Sequence, residues 1–320
     1  MPFFDLDADK LPAYRSKVVA PADFESFWAE TLAEARQFPL DAKFEPFDAN
    51  LPLVEVFDVT FAGFGGHPIR GWYIKPRGPV EAGAVVKFLG YNGGRGFPQD
   101  HLLWPASGRP VLVMDTRGQG GGWAPGDTAD PVGSDPAHAG YMTRGIGNPQ
   151  SYFYRRVFTD AVRAIEALRS RAEIDPARVA TAGGSQGGAL ALVAASLDPS
   201  VKAVVSDVPF LSDFRRAVGL APRDPYGEVS RYLAVHRDKV ESVFRTLNYF
   251  DVVNHVPRAK AKALLSVGLM DTICPPSTVY AVFNAYGGAA KQIVSYSFND
   301  HEGGGAFQER EQLGWMKTAL

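Results

Sequence analysis

From residue 84 onward, short apolar segments recur along the chain and alternate with longer segments of mixed polarity. Residues 84–89, 110–114, 179–182, 203–206, 263–267 and 292–296 are nearly continuous in apolar side chains and predict buried strands. Such strands are typical of a mainly parallel sheet that helices cover on both faces. Two helices are predicted between them, over residues 152–169 and from Ser185 to Leu197. The pattern therefore favours an α/β fold.

The N-terminal part follows a different pattern. A helix is predicted from Pro21 onward, because apolar side chains recur at helical spacing on one face: Phe24, Phe27, Trp28 and Leu32. We interpret residues 1–50 as an N-terminal helical arm packed on the body. Residues 54–61 and 69–74 predict two strands, and the turn-rich segment 62–66 between them favours an antiparallel hairpin.

Two segments are too long for simple connections. Residues 116–151 are rich in glycine, proline and aspartate, whereas residues 208–258 contain helix-like stretches. Long excursions of this kind are usually lids, binding loops or subunit contacts. We interpret residues 208–258 as an insertion before the penultimate strand, too small for a core of its own, and predict a single domain over residues 1–320.

Composition and charge exclude several classes of protein. The 320 residues are 46% hydrophobic and 21% charged, as expected of a globular protein, and the net charge of −2 gives no field that favours nucleic acid or an anionic membrane. No apolar run approaches the ~20 residues of a membrane span, and the acidic N-terminus lacks a secretory pattern. Cys274 is the only cysteine, which precludes an intrachain disulfide and a multi-cysteine zinc site. We therefore predict a cytoplasmic protein.

The most specific feature is the sequence Gly183-Gly184-Ser185-Gln186-Gly187, which fits G-x-S-x-G. A predicted strand precedes it and a predicted helix follows it. A serine on such a turn projects its hydroxyl above the sheet, while the helix N-terminus offers free N–H groups. Without that context an ordinary glycine-rich turn would be as good an interpretation. With it, we interpret Ser185 as a nucleophile.

A serine hydroxyl needs a base to act as a nucleophile. His67, His101 and His138 precede the serine, although the histidine follows it in this architecture. Of the later histidines, His236 and His255 both lie in the insertion. His301 directly follows the last predicted strand in a glycine-rich loop, and we interpret it as the base rather than as an isolated surface histidine.

Three aspartates are candidates for the acid that orients the imidazole. Asp271 follows the predicted strand 263–267 and is the best choice, whereas Asp207, one strand earlier, is a credible rival. Asp300 is adjacent to His301 in sequence, which makes a bond to Nδ1 of the ring awkward. Cys274, close to Asp271, is interpreted as a packed small side chain.

An oxyanion needs backbone donors. One is expected from the amide of Gln186, and another from the glycine-rich loop that follows residues 84–89. Arg117 and Gln119 follow the next predicted strand, where we favour a structural role over substrate contact. No phosphate loop, G-x-G-x-x-G pattern or cluster of metal-ligating side chains is present, so we predict no cofactor and no metal.

These residues resemble the acetyl xylan esterase and cephalosporin-C deacetylase enzymes, carbohydrate esterase family seven, within the α/β-hydrolases. Three motifs carry the resemblance: Arg117-Gly118-Gln119, Gly183-Gly184-Ser185-Gln186-Gly187 and His301-Glu302. Longer stretches agree as well, at residues 90–97, 114–120, 154–163, 207–217 and 271–279. The resemblance covers nearly the whole chain and is far more specific than G-x-S-x-G alone.

The resemblance implies an α/β-hydrolase fold and a triad of Ser185 as nucleophile, Asp271 as acid and His301 as base. It also implies that the amides of Tyr91 and Gln186 form the oxyanion hole. The implied activity is deacetylation of small acetylated sugars, xylo-oligosaccharides and cephalosporin C, without a cofactor. Members of the family assemble as hexamers, so a homo-hexamer is implied here.

Preference for acetyl groups requires a small acyl pocket. We expect the side chains of Tyr91 and Trp104 to help shape it. A serine peptidase or a broad-specificity esterase of the same fold, and a non-catalytic receptor or scaffold, are the alternative hypotheses.

Overall fold

The computed structural model describes residues 4–78, 80 and 82–320. Its central feature is a nine-stranded sheet in the order β1-β2-β3-β5-β4-β6-β7-β8-β9. The strands are β1 (Lys43–Phe47), β2 (Val54–Ala62), β3 (Pro68–Pro76), β4 (Ala84–Phe88), β5 (Val111–Met114), β6 (Val179–Gly184), β7 (Ala203–Asp207), β8 (Lys262–Gly268) and β9 (Lys291–Tyr296). All eight strands expected from the sequence are present.

The N-terminal part of the sheet is antiparallel. β2 and β3 form the expected hairpin, in which Phe61 lies opposite Ile69. β1 pairs with β2 at the edge of the sheet, where Lys43 lies opposite Thr60. The interpretation of residues 1–50 as an N-terminal helical arm was therefore wrong for Lys43–Phe47, which is a largely exposed edge strand that contains Pro46.

The strands from β4 to β9 are parallel to one another, as the apolar pattern predicts. Their carboxyl ends lie at the same edge of the sheet, so that the loops after β4, β6, β8 and β9 converge there. This edge is where ligands bind in open α/β sheets. The strand order therefore brings the loops that carry Tyr91, Ser185, Asp271 and His301 to the carboxyl edge of the sheet.

Helices cover both faces of the sheet. They are α1 (Phe24–Arg36), α2 (Leu103–Ala106), α3 (Phe153–Arg169), α4 (Gln186–Leu197), α5 (Phe214–Leu220), α6 (Tyr226–Val235), α7 (Val240–Leu247), α8 (Val252–His255), α9 (Pro276–Ala285) and α10 (Gly305–Ala319). The larger hydrophobic core lies against α1, α3, α4, α8 and α9. The smaller core, on the opposite face, includes Trp72, Trp104 and Met316. The fold is therefore the layered α/β-hydrolase arrangement that the family resemblance implies.

The insertion between β7 and β8 contains α5, α6, α7 and α8. It is joined to the N-terminal arm through a buried aromatic cluster, because Trp28 of α1 donates a hydrogen bond from Nε1 to the carbonyl of Tyr249 at 3.0 Å. Trp28 also stacks on Phe158 of α3, with ring centroids 5.7 Å apart. The arm and the insertion therefore pack into the same core. Within the described ranges, no helix combines the length and apolarity needed to cross a bilayer.

His255 of α8 lies inside this aromatic cluster. Its ring is in edge contact with the rings of Phe24, Trp28 and Phe158, with centroids 4.9, 5.1 and 5.5 Å away. Its Nε2 lies 3.1 Å from the carbonyl oxygen of Tyr249. Burial, together with the charge of Arg258, lowers the pKa of His255 to about 3. The folded protein therefore holds this ring neutral at pH values where an unfolded chain would protonate it.

A histidine whose pKa is lower in the folded state contributes stability above its unfolded pKa of about 6.5, and that stability is lost as the pH falls from there towards about 3. We expect the variant His255→Phe to lose this dependence. The difference in unfolding free energy between wild type and variant should change by up to about 1.4 kcal/mol per pH unit below pH 6.5. Urea denaturation at pH 7, 6 and 5 measures it. His236→Phe, in the same insertion but partly exposed, is the control, and identical pH slopes for wild type and His255→Phe would contradict the expectation.

Candidate active site

Ser185 lies on the sharp turn between β6 and α4. Its backbone has φ 55° and ψ −122°, a conformation uncommon for a residue with a side chain. The turn is held on both sides: the amide of Ser185 donates to the carbonyl of Asp207 at 2.9 Å, and its carbonyl accepts from the amides of Phe210 and Ala189 at 3.1 and 3.0 Å. The hydroxyl is thereby placed above the carboxyl edge of the sheet.

The glycines around Ser185 are required by close packing of the backbone. A Cβ atom at Gly187 would lie 2.3 Å from the carbonyl oxygen of Phe88 in β4. At Gly183 it would lie 2.4 Å from the carbonyl carbon of Gly187. A side chain at either position would push α4 away from the sheet, which explains the spacing of the motif.

His301 and Asp271 are in direct contact. Nδ1 of His301 lies 2.9 Å from Oδ2 of Asp271, whose side chain is fully buried. Since a carboxylate is an acceptor, the proton of the neutral ring belongs on Nδ1, and Nε2 keeps its lone pair. Oδ1 of Asp271 accepts from the amides of Ile273 and Cys274 at 2.8 and 2.9 Å. The loop after β8 therefore fixes the carboxylate, which in turn fixes the imidazole.

The rival aspartates have other partners. Asp207 accepts hydrogen bonds from Ser266 at 2.8 Å and from Gln308 and Gln312 of α10 at 3.0 and 2.5 Å. Burial raises the pKa of Asp207 to about 6, against the opposing effect of these donors. The carboxylate of Asp300 accepts from the amide of Thr272 at 3.2 Å. Of the three aspartates, Asp271 is the one that bonds to the imidazole of His301.

Cys274 lies beside Asp271 and His301, as its position in the sequence near Asp271 indicates. One ligand atom each of Asp271, Cys274 and His301 lies within 4.8 Å of the others. Burial raises the pKa of the Cys274 thiol well above its usual value, while an interaction with the Ser185 side chain opposes this rise. A cation could be held by such a set only by displacing the bonds that both oxygens of Asp271 already make. The geometry therefore favours an acid–imidazole pair.

Tyr91 and Gln186 lie on two neighbouring loops above the sheet. Tyr91 follows β4, and Gln186 is the first residue of α4, where the backbone amide has no partner within the helix. Neither amide donates a hydrogen bond to another residue in the part of the chain that the structure describes. Two free amides near a serine are the donors that an oxyanion would require.

Gln119 connects these two loops. Its Oε1 accepts from the amide of Asn92 at 2.7 Å, and its Nε2 donates to Oε1 of Gln186 at 2.9 Å. Arg117, two residues earlier, is fully buried and forms two hydrogen bonds with the carboxylate of Asp160, at 2.6 and 2.8 Å. Both side chains are fully buried and bonded to other parts of the protein, which supports a structural role for Arg117 and Gln119.

Ser185, His301 and Tyr91 line one cavity of about 990 Å³ at the carboxyl edge of the sheet. Val208 and Pro225 of the insertion and Trp123 of the long loop after β5 also contribute to its wall. This volume lies within the range of small-molecule sites. The expectation that Trp104 lines the pocket was wrong: its side chain is 3% exposed and packs in the smaller core. The pocket tryptophan is Trp123, which donates from Nε1 to the carbonyl of Tyr91 at 2.9 Å.

Comparison with known proteins gives consistent matches. The sequence profile of the acetyl xylan esterase (AXE1) family matches residues 1–319. The chain is 29% identical over 301 residues to the acetyl esterase Axe7A of Xylanibacter ruminicola, a match that covers 88% of this chain. The chain spans about 63% of the length of that curated relative.

Two solved structures are similar over their whole length. The acetyl xylan esterase from Paenibacillus sp. R4 superposes with a TM-score of 0.91 and 36% sequence identity, covering 98% of this chain and 100% of the other. Acetyl xylan esterase 1 from Thermoanaerobacterium sp. JW/SL YS485 gives a TM-score of 0.90 and 33% identity, covering 99% and 100%.

Proposed function

Because the chain belongs to the acetyl xylan esterase family, we propose that it is a serine esterase that removes acetyl groups from small acetylated substrates. The observation that carries this proposal is the bond between His301 and Asp271 beside the cavity that Ser185 lines. The family resemblance narrows the proposed substrates to acetylated xylo-oligosaccharides and cephalosporin C.

The first half of the proposed reaction transfers the acetyl group to the enzyme. Nε2 of His301 takes the proton of the Ser185 hydroxyl as its oxygen attacks the acetyl carbonyl. The carbonyl oxygen becomes an oxyanion, which the amides of Tyr91 and Gln186 stabilise. As the tetrahedral intermediate collapses, the bond to the alcohol breaks, the protonated ring gives its proton to the departing oxygen, and acetyl-Ser185 remains.

The second half repeats these steps with water. His301 takes a proton from a water molecule as the water oxygen attacks the acetyl carbon. It returns the proton to the Ser185 oxygen as the bond between that oxygen and the acetyl carbon breaks, and acetic acid leaves and loses its remaining proton to solvent. Asp271 stays ionised throughout and stabilises the imidazolium. The two backbone amides on Oδ1 and the ring on Oδ2 are the partners that an ionised carboxylate requires in a buried position.

The decisive experiment is hydrolysis of 4-nitrophenyl acetate by wild type and by Ser185→Ala. Loss of the nucleophile should lower kcat by roughly 10⁶-fold, and His301→Ala should have a similar effect. Cys274→Ala, which removes a neighbouring side chain with no role in the mechanism, should retain far more activity. Unchanged hydrolysis by Ser185→Ala would refute the catalytic proposal, and cleavage of peptide anilides in preference to acetyl esters would favour a peptidase.

The preference for acetyl groups is proposed to arise from steric exclusion. The ring of Tyr91 contacts the rings of Tyr141 and Phe210, with centroids 5.3 and 5.9 Å away, and its phenol donates to Glu228 at 2.7 Å; these contacts restrict its movement. An apolar pocket gains only about 1–3 kcal/mol per methylene, so attraction alone would give weak selectivity.

We expect kcat/KM for 4-nitrophenyl esters to fall steeply from acetate to butyrate, since the longer acyl chain meets the fixed ring of Tyr91. A series of chain lengths on one alcohol measures this effect. Equal turnover of acetate and octanoate esters would show that no small acyl pocket exists.

The assembly and location are proposed from the family resemblance. We propose that the chain forms a homo-hexamer, with no nucleic acid or membrane partner, and acts in the cytoplasm, where its single cysteine would remain reduced. Light scattering on the purified protein should give about six times the 34.6 kDa mass of the chain. A monomer at all concentrations would contradict the hexamer, and cell fractionation tests the location.

A further inference from the structure

Glu228 of α6 is a buried carboxylate at the junction of the insertion and the cavity. Its Oε1 accepts hydrogen bonds from the phenol of Tyr91 at 2.7 Å and from the amide of Gly140 at 3.1 Å. Its Oε2 accepts from the amide of Met142 at 3.1 Å. The phenol oxygen of Tyr91 also accepts from the amide of Tyr141 at 2.9 Å. One carboxylate therefore binds the side chain of Tyr91 and the segment around residue 141 together.

Because Glu228 is buried, its carboxylate depends on these hydrogen bonds rather than on solvent. The residue is 8% exposed, and burial raises the pKa of its carboxyl, although the bonds from Tyr91 and Met142 act in the opposite direction. A buried carboxylate is retained at such a position only if its oxygens find donors. Loss of the carboxylate would leave the donors of Tyr91, Gly140 and Met142 without this acceptor.

Tyr91 is held from two other sides as well. Its carbonyl accepts from Nε1 of Trp123 at 2.9 Å, and the following amide, of Asn92, donates to Oε1 of Gln119 at 2.7 Å. These bonds fix the chain just after the amide of Tyr91. The bond to Glu228 fixes the side chain of the same residue, and it comes from the insertion rather than from the loop beside the nucleophile.

We propose that Glu228 is a positioning residue that fixes the amide of Tyr91 where the oxyanion forms, acting through the phenol of Tyr91. The inference rests on the proposed function, because it requires the Tyr91 amide to act in an oxyanion hole. Glu228 does not line the cavity and so acts through Tyr91 rather than on the substrate. The insertion thereby contributes to catalysis through a contact that spans 137 residues of sequence.

Displacing an oxyanion donor reduces stabilisation of the charged transition state more than it reduces affinity for the uncharged ester. Removing such a donor altogether costs about 10²–10³ in kcat. Loosening it should cost less, and we expect a loss of roughly 10- to 100-fold in kcat with KM changed by no more than about twofold.

The test compares Glu228→Gln, Tyr91→Phe and the double variant on 4-nitrophenyl acetate. Tyr91→Phe keeps the ring and the backbone amide and removes only the hydroxyl, which bonds to Glu228 and to the amide of Tyr141, so it tests the Glu228 bond from the other side if Glu228→Gln fails to fold. Both single variants should show the loss in kcat, and the double variant should lose no more than the worse single variant, because the charge-assisted bond between Glu228 and the Tyr91 phenol is absent in all three. Glu241→Gln, an exposed carboxylate in α7 of the same insertion, should match wild type.

Inhibition by methylboronic acid separates positioning from general damage. Boron forms a tetrahedral adduct with the Ser185 oxygen, and one boron oxygen then occupies the oxyanion hole. Its inhibition constant should rise by the same factor by which kcat falls in Glu228→Gln and Tyr91→Phe. A variant that is merely partly unfolded would lose kcat while keeping the inhibition constant of wild type.

Two results would overturn the inference: kcat within about twofold of wild type in both single variants, or a lower kcat with an unchanged inhibition constant. Failure of the proposed function itself gives a different result, because wild type would then show no acetyl esterase activity or Ser185→Ala would retain it.

Discussion

The backbone of Ser185 is the constraint on which the rest of the site depends. Holding a residue with a side chain at φ 55° costs on the order of 1–3 kcal/mol, and it persists only where the surroundings impose it. Here β7 supplies the carbonyl that accepts from the Ser185 amide, and the amide of Phe210 bonds to the Ser185 carbonyl. The helix α4 begins directly after Ser185, and nearly all of its residues are buried, so it restricts movement of the turn. The position of the hydroxyl and the direction of the Gln186 amide both follow from this turn.

A second constraint decides which carboxylate can serve the imidazole. Asp207 is the last residue of β7 and Asp271 follows the neighbouring parallel strand β8, so both lie at the same edge of the sheet. Their side chains differ in their partners: Gln308 and Gln312 of α10 hold Asp207, whereas Asp271 is free to accept from His301. The sequence alone left both candidates open because the difference comes from a helix that lies a hundred residues away from Asp207. The family resemblance pointed to Asp271, and the geometry supports that choice.

Features that depend on local sequence patterns were predictable, whereas features that depend on contacts between distant residues were not. The buried strands and the strand–serine–helix motif were predictable because their patterns are local. The edge strand β1 was missed because its side chains are mostly exposed and Pro46 interrupts the pattern, which an edge position tolerates. Trp104 was assigned to the wrong place because a loop after β4 can carry an aromatic to either face of the sheet. Glu228 gave no local signal, since the role that we propose for it depends on a contact with Tyr91 that only the folded chain makes.

The burial of Asp271 and the partial exposure of His301 are consistent with the proposed mechanism. The Asp271 side chain is fully buried, whereas that of His301 is 27% exposed, so the ring is held from the protein side and open towards the cavity. In the proposed mechanism both the alcohol and the water must reach Nε2, whereas the oxyanion must be kept from solvent. Gln119, Trp123 and Glu228 all bond to the loop that carries the proposed oxyanion donor. The loop that carries Tyr91, beside which negative charge would develop, is therefore held by several bonds. The ring of His301, which would exchange protons, remains accessible from the cavity.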